Sequence, residues 1–189
     1  KSVILPSSVK ILRYNAFRGC HSLQTINLEY IEEMEGAVFY QSGLADYVVN
    51  APNLKTIKYG ATFGQTKIKG IASLGEVSVI EGSRYADGTS SSTFRGCSDL
   101  EFVNLGEGIT SIGNLVFRQC SSLKEICLPS TIESIGYACF NDCKALERII
   151  CRAIIPPTLN AYVFDNTNNC PIYVPDASLE AYKTATNWN

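Results

Sequence analysis

Apolar residues recur along this chain every 23 positions, and the recurrence is clearest between Phe94 and Cys151. Phe94-Arg95-Gly96-Cys97-Ser98-Asp99-Leu100 is followed by Phe117-Arg118-Gln119-Cys120-Ser121-Ser122-Leu123, and then by Phe140-Asn141-Asp142-Cys143-Lys144-Ala145-Leu146. A period of this length marks a solenoid, in which each unit buries its apolar side against its neighbours. The fixed points of one unit are Ile109, Ile112, Phe117, Cys120, Leu123, Ile126 and Leu128. Its Leu-x-x-Ile-x-Leu stretch alternates apolar and polar, which predicts a short strand. The Ile-x-x-Ile stretch predicts a second short strand or extended turn. Small residues such as Ala16 and Cys139 precede the phenylalanines and suit a tight, partly helical bend.

The same offsets run through the chain. The first unit carries Val9, Leu12, Phe17, Cys20, Leu23, Ile26 and Leu28. A second has Ile31, Met34, Phe39, Leu44, Tyr47 and Val49, and a third has Leu54, Ile57, Phe63, Ile68 and Ile71. A fourth opens on Leu74 and Val77 but reaches Phe94 only after about 12 extra residues, a loop by composition assigned to residues 81–92. Two regular units follow, within residues 94–151, and a seventh holds Leu159, Phe164, Ile172 and Val174. Seven of the eight phenylalanines thus share one column. Stacked on parallel strands, their rings are expected about 4.8 Å apart.

Residues 170–189 read as a C-terminal cap. Asp176 follows Pro175 as a helix N-cap, and Leu179 and Tyr182 share a helical face. The opening Val3-Ile4-Leu5-Pro6 matches Ile126-Cys127-Leu128-Pro129, so the chain reads as a fragment or mature form beginning mid-unit. Residues 1–189 therefore form a single repeat solenoid of about seven units of 22–24 residues, with short parallel strands and a cap helix.

Composition changes this picture little. With 46% hydrophobic and 18% charged residues the chain has ample material to bury. A formal charge of −2 gives no electrostatic case for nucleic acid or anionic lipid. No run of about 18 apolar residues occurs, so this segment is not expected to insert into a membrane.

The eight cysteines raise the question of disulfides or zinc. Cys20, Cys97, Cys120 and Cys143 each stand three residues after a column phenylalanine, which predicts a ladder of buried thiols. A disulfide between rungs would need Cα atoms within about 4.4–6.8 Å. Cys139-x-x-x-Cys143 is half a metal site without a second half. His21 is the only histidine and no nucleophile motif accompanies it, so neither catalysis nor a cofactor is expected. Glu32, Glu33 and Glu35 read as a solvated turn, and Gly106-x-Gly108 as a turn without phosphate-loop context.

The unrepeated, outward strand positions carry the functional expectation. One set comprises Ile4, Asn27, Val48, Ala72, Asn104, Cys127, Ile150 and Tyr173. Earlier in the same strands come Thr25, Asp46, Gly70, Phe102, Glu125, Arg148 and Pro171. Phe102, Cys127, Ile150 and Tyr173 predict an apolar stripe on an exposed sheet face, and such patches often mark interaction sites. With Asn104, Glu125 and Arg148 they form the candidate binding face. Cys127 is also expected to be the most accessible thiol.

The phrase Ile-x-x-Ile-(x)4-Phe-x-x-Cys-x-x-Leu-x-x-Ile-x-Leu-Pro resembles the BspA-like, or treponemal-type, leucine-rich repeat. The ending from Cys170 to Lys183 is similar to the usual close of such arrays. The resemblance implies a right-handed leucine-rich-repeat superhelix on a secreted or cell-surface protein, typically bacterial, with adhesion among the roles of relatives. It brings no catalytic residues. The expected function is a non-enzymatic module binding a protein or glycan. The alternative is a structural spacer or self-association array without its own ligand.

Overall fold

Each coil of the chain has three sides, and two of them carry a short parallel strand. These are seen in a computed structural model that describes residues 1–84 and 92–188. One face stacks the strands Ser2–Val3, Thr25–Ile26, Val48–Asn50, Gly70–Ser73, Phe102–Val103, Glu125–Leu128, Arg148–Cys151 and Ile172–Tyr173. The other stacks Ile11–Leu12, Glu33–Met34, Thr56–Ile57, Val79–Ile80, Ser111–Ile112, Ser134–Ile135 and Thr158–Leu159. All the strand pairings are parallel, and consecutive coils are neighbours. The result is a leucine-rich-repeat solenoid of about seven turns.

The third side is built of turns rather than the partly helical bend expected, yet it too is hydrogen-bonded from coil to coil. The Phe39 N–H donates to the Thr62 carbonyl at 2.7 Å, and the Phe117 N–H to that of Cys139 at 3.0 Å. Two residues after each interior phenylalanine the chain turns left-handed, at Gln41, Gln65, Gly96, Gln119 and Asp142. The N–H of this residue also reaches the neighbouring coil, as from Gln41 to the Gly64 carbonyl at 3.1 Å, while the next N–H returns to the phenylalanine carbonyl of its own coil. The side therefore satisfies its backbone without strand geometry.

The phenylalanine column is present along the whole stack. Successive rings from Phe17 to Phe164 lie with centroids 5.0–5.7 Å apart and planes within 23°. The spacing exceeds the expected 4.8 Å because the rings stack offset, which separates centroids further than the backbones that carry them. Phe39, Phe63, Phe94, Phe117 and Phe140 are fully buried, and the isoleucine and leucine fixed points pack around them.

Three readings of register need correction. Val48 pairs with Gly70 and Val49 with Ile71, so Val48 takes the position assigned to Asp46, and Ala51 fills the buried place assigned to Val49. The strand shifts because Tyr47 lies outside it. The Tyr47 hydroxyl donates to the Ile26 carbonyl at 2.5 Å, bridging a gap between two stretches of sheet. In the fourth unit Ile80, not Val77, aligns with Ile112. Its insertion before Phe94 is therefore nine residues rather than 12. Residues 85–91 of that loop lie outside the described residues. Its ends are clasped to the next coil, where Ser83 N–H and Ser92 Oγ both donate to the Asn114 carbonyl, at 2.9 and 2.8 Å.

The cap also differs in detail. Asp176 opens a 3-10 turn, Asp176–Ser178, and makes no side-chain capping bond; the α-helix is Leu179–Thr184. Leu179 stays 46% exposed, so it does not share the buried face of Tyr182. The end is closed instead by Tyr182 with Trp188, whose rings meet edge to face at 4.8 Å. Trp188 Nε1 donates to the Pro157 carbonyl and the Tyr182 hydroxyl to that of Ala153, both at 2.8 Å. Trp188 covers Phe164, the last ring of the column, at 6.0 Å.

Candidate binding face

Parallel pairing brings the candidate residues onto neighbouring strands. Glu125 stands opposite Arg148, and Cys127 opposite Ile150, which in turn stands opposite Tyr173. The side chains therefore form two rows. One is the apolar column Cys127–Ile150–Tyr173, in which the first two are half-buried and Tyr173 is exposed. The other is the ion pair of Glu125 with Arg148 Nε. An apolar centre with a charged edge is how the core and rim of a protein interface are arranged.

Two candidates serve structure more than the face. Phe102 is 44% exposed, but its ring lies over the Cα of Gly70 on the neighbouring strand. Asn104 donates from Nδ2 to the Ala72 carbonyl at 3.1 Å and accepts from the Gly106 N–H at 3.2 Å. Asn27, at the same place on an earlier coil, brackets Leu5 by accepting from its N–H at 2.6 Å and donating to its carbonyl at 3.1 Å. Both asparagines thus tie one coil's turn to the previous coil. Sequence reading also passed over Ile154 and Ile155, which follow the Arg148–Cys151 strand and are 71% and 81% exposed. Their signal was the run Ile154-Ile155-Pro156-Pro157, which no fixed point of the repeat requires.

All eight cysteines are free. Cys97, Cys120 and Cys143 are fully buried and form a donor ladder, each Sγ reaching the carbonyl of a phenylalanine one coil earlier, at 3.2, 3.4 and 3.2 Å. Thr66 stands in the same column and donates to the carbonyl of its own Phe63 at 2.6 Å. Burial pushes the Cys97 and Cys143 thiols up to about 12 and raises those of Cys120 and Cys139 strongly. These thiols stay neutral and unreactive. Cys20, expected in the buried ladder, is exposed because it lies on the first coil. Cys127 is half-buried, and burial raises its thiol more than the nearby Arg152 lowers it. Cys20 therefore replaces it as the most accessible thiol.

The acidic cluster is not a solvated turn. Glu33 lies in a strand, and all three carboxylates pair with cations of adjacent coils. Glu32 bridges Lys10 and Lys55, Glu33 meets Lys58, and Glu35 meets Arg13. The hydrogen bond from Lys55 holds Glu32 below the usual carboxylate range, and the Tyr14 N–H does the same for Glu35. Gly106 is a left-handed turn residue, as its spacing implied. His21 is exposed on the first coil. Among the described residues no three His, Cys, Asp or Glu side chains gather as metal ligands, and no helix is long and apolar enough to cross a membrane.

Coils of this length, with stacked phenylalanines and paired short strands, define a leucine-rich-repeat protein. The profile of the BspA-type leucine-rich repeat region matches residues 1–90 and 88–185 in six copies, and the chain belongs to that family. Among solved structures it is similar to a leucine-rich repeat protein from Bacteroides ovatus, with 18% identity and a TM-score of 0.53, over 93% of this chain and 54% of that one. It also matches a leucine-rich cell surface protein from Faecalibacterium prausnitzii, with 20% identity and a TM-score of 0.46, over 95% of this chain and 62% of that one. The chain thus spans a little over half the length of these two proteins. No curated protein matches it.

Proposed function

We propose that the chain is a non-enzymatic binding module of an extracellular or cell-surface protein, engaging a protein partner through the Cys127–Ile150–Tyr173 face in adhesion. The apolar column beside the Glu125–Arg148 pair carries this reading, because Cys127 and Ile150 sit on four-residue strands paired along their whole length and Tyr173 continues their row. Fold and family are typically non-enzymatic. Placement at the cell surface rests on the family resemblance.

The test is retention of the chain on a panel of immobilised extracellular-matrix glycoproteins. Wild type should be retained on at least one. Ile150→Asp and Tyr173→Ala should each weaken retention by about tenfold or more, as central interface residues do, while unfolding at the wild-type temperature. Retention on no surface, or undiminished retention of both folded variants, would overturn the reading.

A further inference from the structure

Five of the seven arginines fall into two sets. Arg13, Arg148 and Arg152 pair with Glu35, Glu125 and Glu107 on other coils. Arg18 and Arg84 have no carboxylate partner among the described residues, and each lies over a tyrosine ring, with Arg18 Nη1 also donating to Asn15 Oδ1 at 3.5 Å. The Arg18 guanidinium is 5.3 Å from the centre of the Tyr40 ring, and that of Arg84 is 4.4 Å from the centre of Tyr59.

Beside the Arg18–Tyr40 pair, on the turn side of the first three coils, opens a cleft of about 250 Å³ lined chiefly by Tyr14, Arg18, Tyr40, Tyr59 and Gly60, which Arg84 borders only through Tyr59. Its walls are held by the surrounding coils. The Tyr14 N–H donates to Glu35 Oε2 at 2.8 Å while the side chain remains 62% exposed. The Tyr40 hydroxyl donates to Gln65 Oε1 at 3.1 Å. Gly36 and Gly60 let two coils approach closely, and a methyl group at Gly36 would lie 2.8 Å from Tyr14 Cε2. The opening therefore depends on glycine at its floor.

We propose that this cleft is a second binding site, separate from the strand face, and that its ligand is an acidic glycan presenting one carboxylated or sulfated sugar ring. A guanidinium stacked on an aromatic face keeps its edge donors for a planar anion, which it grips with two parallel hydrogen bonds. Tyr14, whose ring carries no guanidinium and is largely exposed, offers an apolar face for the C–H side of a pyranose. Pockets that enclose whole small molecules are roughly 300–1,000 Å³, so this one takes a single ring of a longer chain. An acidic peptide carries its charge on a flexible stem and would leave the Tyr14 face uncovered.

Calorimetric titration with four probes tests the site: an oligogalacturonate hexamer, a chondroitin sulfate hexasaccharide, neutral chitohexaose and hexaglutamate. At least one acidic saccharide should bind, with the neutral sugar and the peptide about tenfold weaker or worse. Arg18→Gln should lower that affinity about tenfold, and Arg84→Gln, which removes only the cover of Tyr59, by less. Both side chains are exposed, and unchanged near-ultraviolet spectra would show both variants folded. Ile150→Asp should leave it unchanged, which separates this site from the strand face. No binding of either acidic saccharide at about 1 mM, equal binding of hexaglutamate, or full affinity in Arg18→Gln would overturn the proposal.

Discussion

The Phe102 ring lies directly over Gly70, across a parallel strand pairing that sets the two residues side by side. Phe102 is the one phenylalanine outside the column, and among the described residues Gly70 is the only glycine in a strand of that face. Each explains the other: the ring needs a neighbour without a side chain, and the buried glycine backbone needs a cover.

Gly70→Ala should therefore displace the ring and destabilise the protein by about 1 kcal/mol, the lower end of overpacking costs because the ring can swing toward solvent. In a Phe102→Ala background the same change should be nearly neutral. Chemical denaturation of the four proteins gives the coupling, and strict additivity would show that the ring does not depend on the glycine.

Phe117 is fully buried with a stacked ring on both sides, at 5.4 Å each. Phe117→Ala should cost about 3–5 kcal/mol. Phe17→Ala should cost clearly less, since that ring is partly exposed and stacks on one neighbour only. Equal losses in the two denaturation curves would contradict a ladder in which each rung is secured by both neighbours.

The thiols should sort by burial when the native protein is alkylated and mapped by mass spectrometry. Cys20 should react first, Cys127 and Cys170 more slowly, and Cys97, Cys120, Cys139, Cys143 and Cys151 only after unfolding. The intact mass should be the same with and without reductant. Modification of Cys120 in the folded protein would show that the ladder opens.

Acid should weaken the stack through its paired carboxylates. Glu32, Glu35 and Glu107 are held low by hydrogen bonds from Lys55, the Tyr14 N–H and the Ser130 N–H respectively. A folded-state value below the unfolded one gives stability that is present above the ordinary carboxylate range and lost as pH falls through the depressed values. The Tm should thus fall as pH drops below about 4, and more shallowly in a Glu32→Gln, Glu35→Gln, Glu107→Gln variant. Identical slopes would remove these carboxylates from the acid response.

Most of the fold was legible because its core is periodic. Phe117, Cys120, Leu123 and Ile126 recur at fixed offsets, and an apolar residue repeated once per coil can be buried only by stacking on its own copies. What was missed lay where one coil departs from the others. Tyr47 reads as a strand residue by spacing, but its hydroxyl caps a carbonyl 21 residues earlier. Trp188 follows the last repeat, so no periodicity announced that it would close the column.

The candidate face was legible only in part, for the same reason. Alternation placed Cys127, Ile150 and Tyr173 outward, and the strands aligned them as expected. It could not show that Phe102 is occupied by Gly70, or that Glu125 is neutralised by Arg148, because each depends on which residue the neighbouring coil presents. The tyrosine–arginine cleft had no sequence signature at all. Its residues come from three separate turns, brought together by coil stacking and by the close approach of Gly36 to Gly60. The sequence by itself determined the repeat, the inward ladder and the outward positions, since these follow from periodicity and burial. The tertiary structure alone decided which outward side chains are free to bind, because that depends on contacts made between coils more than twenty residues apart.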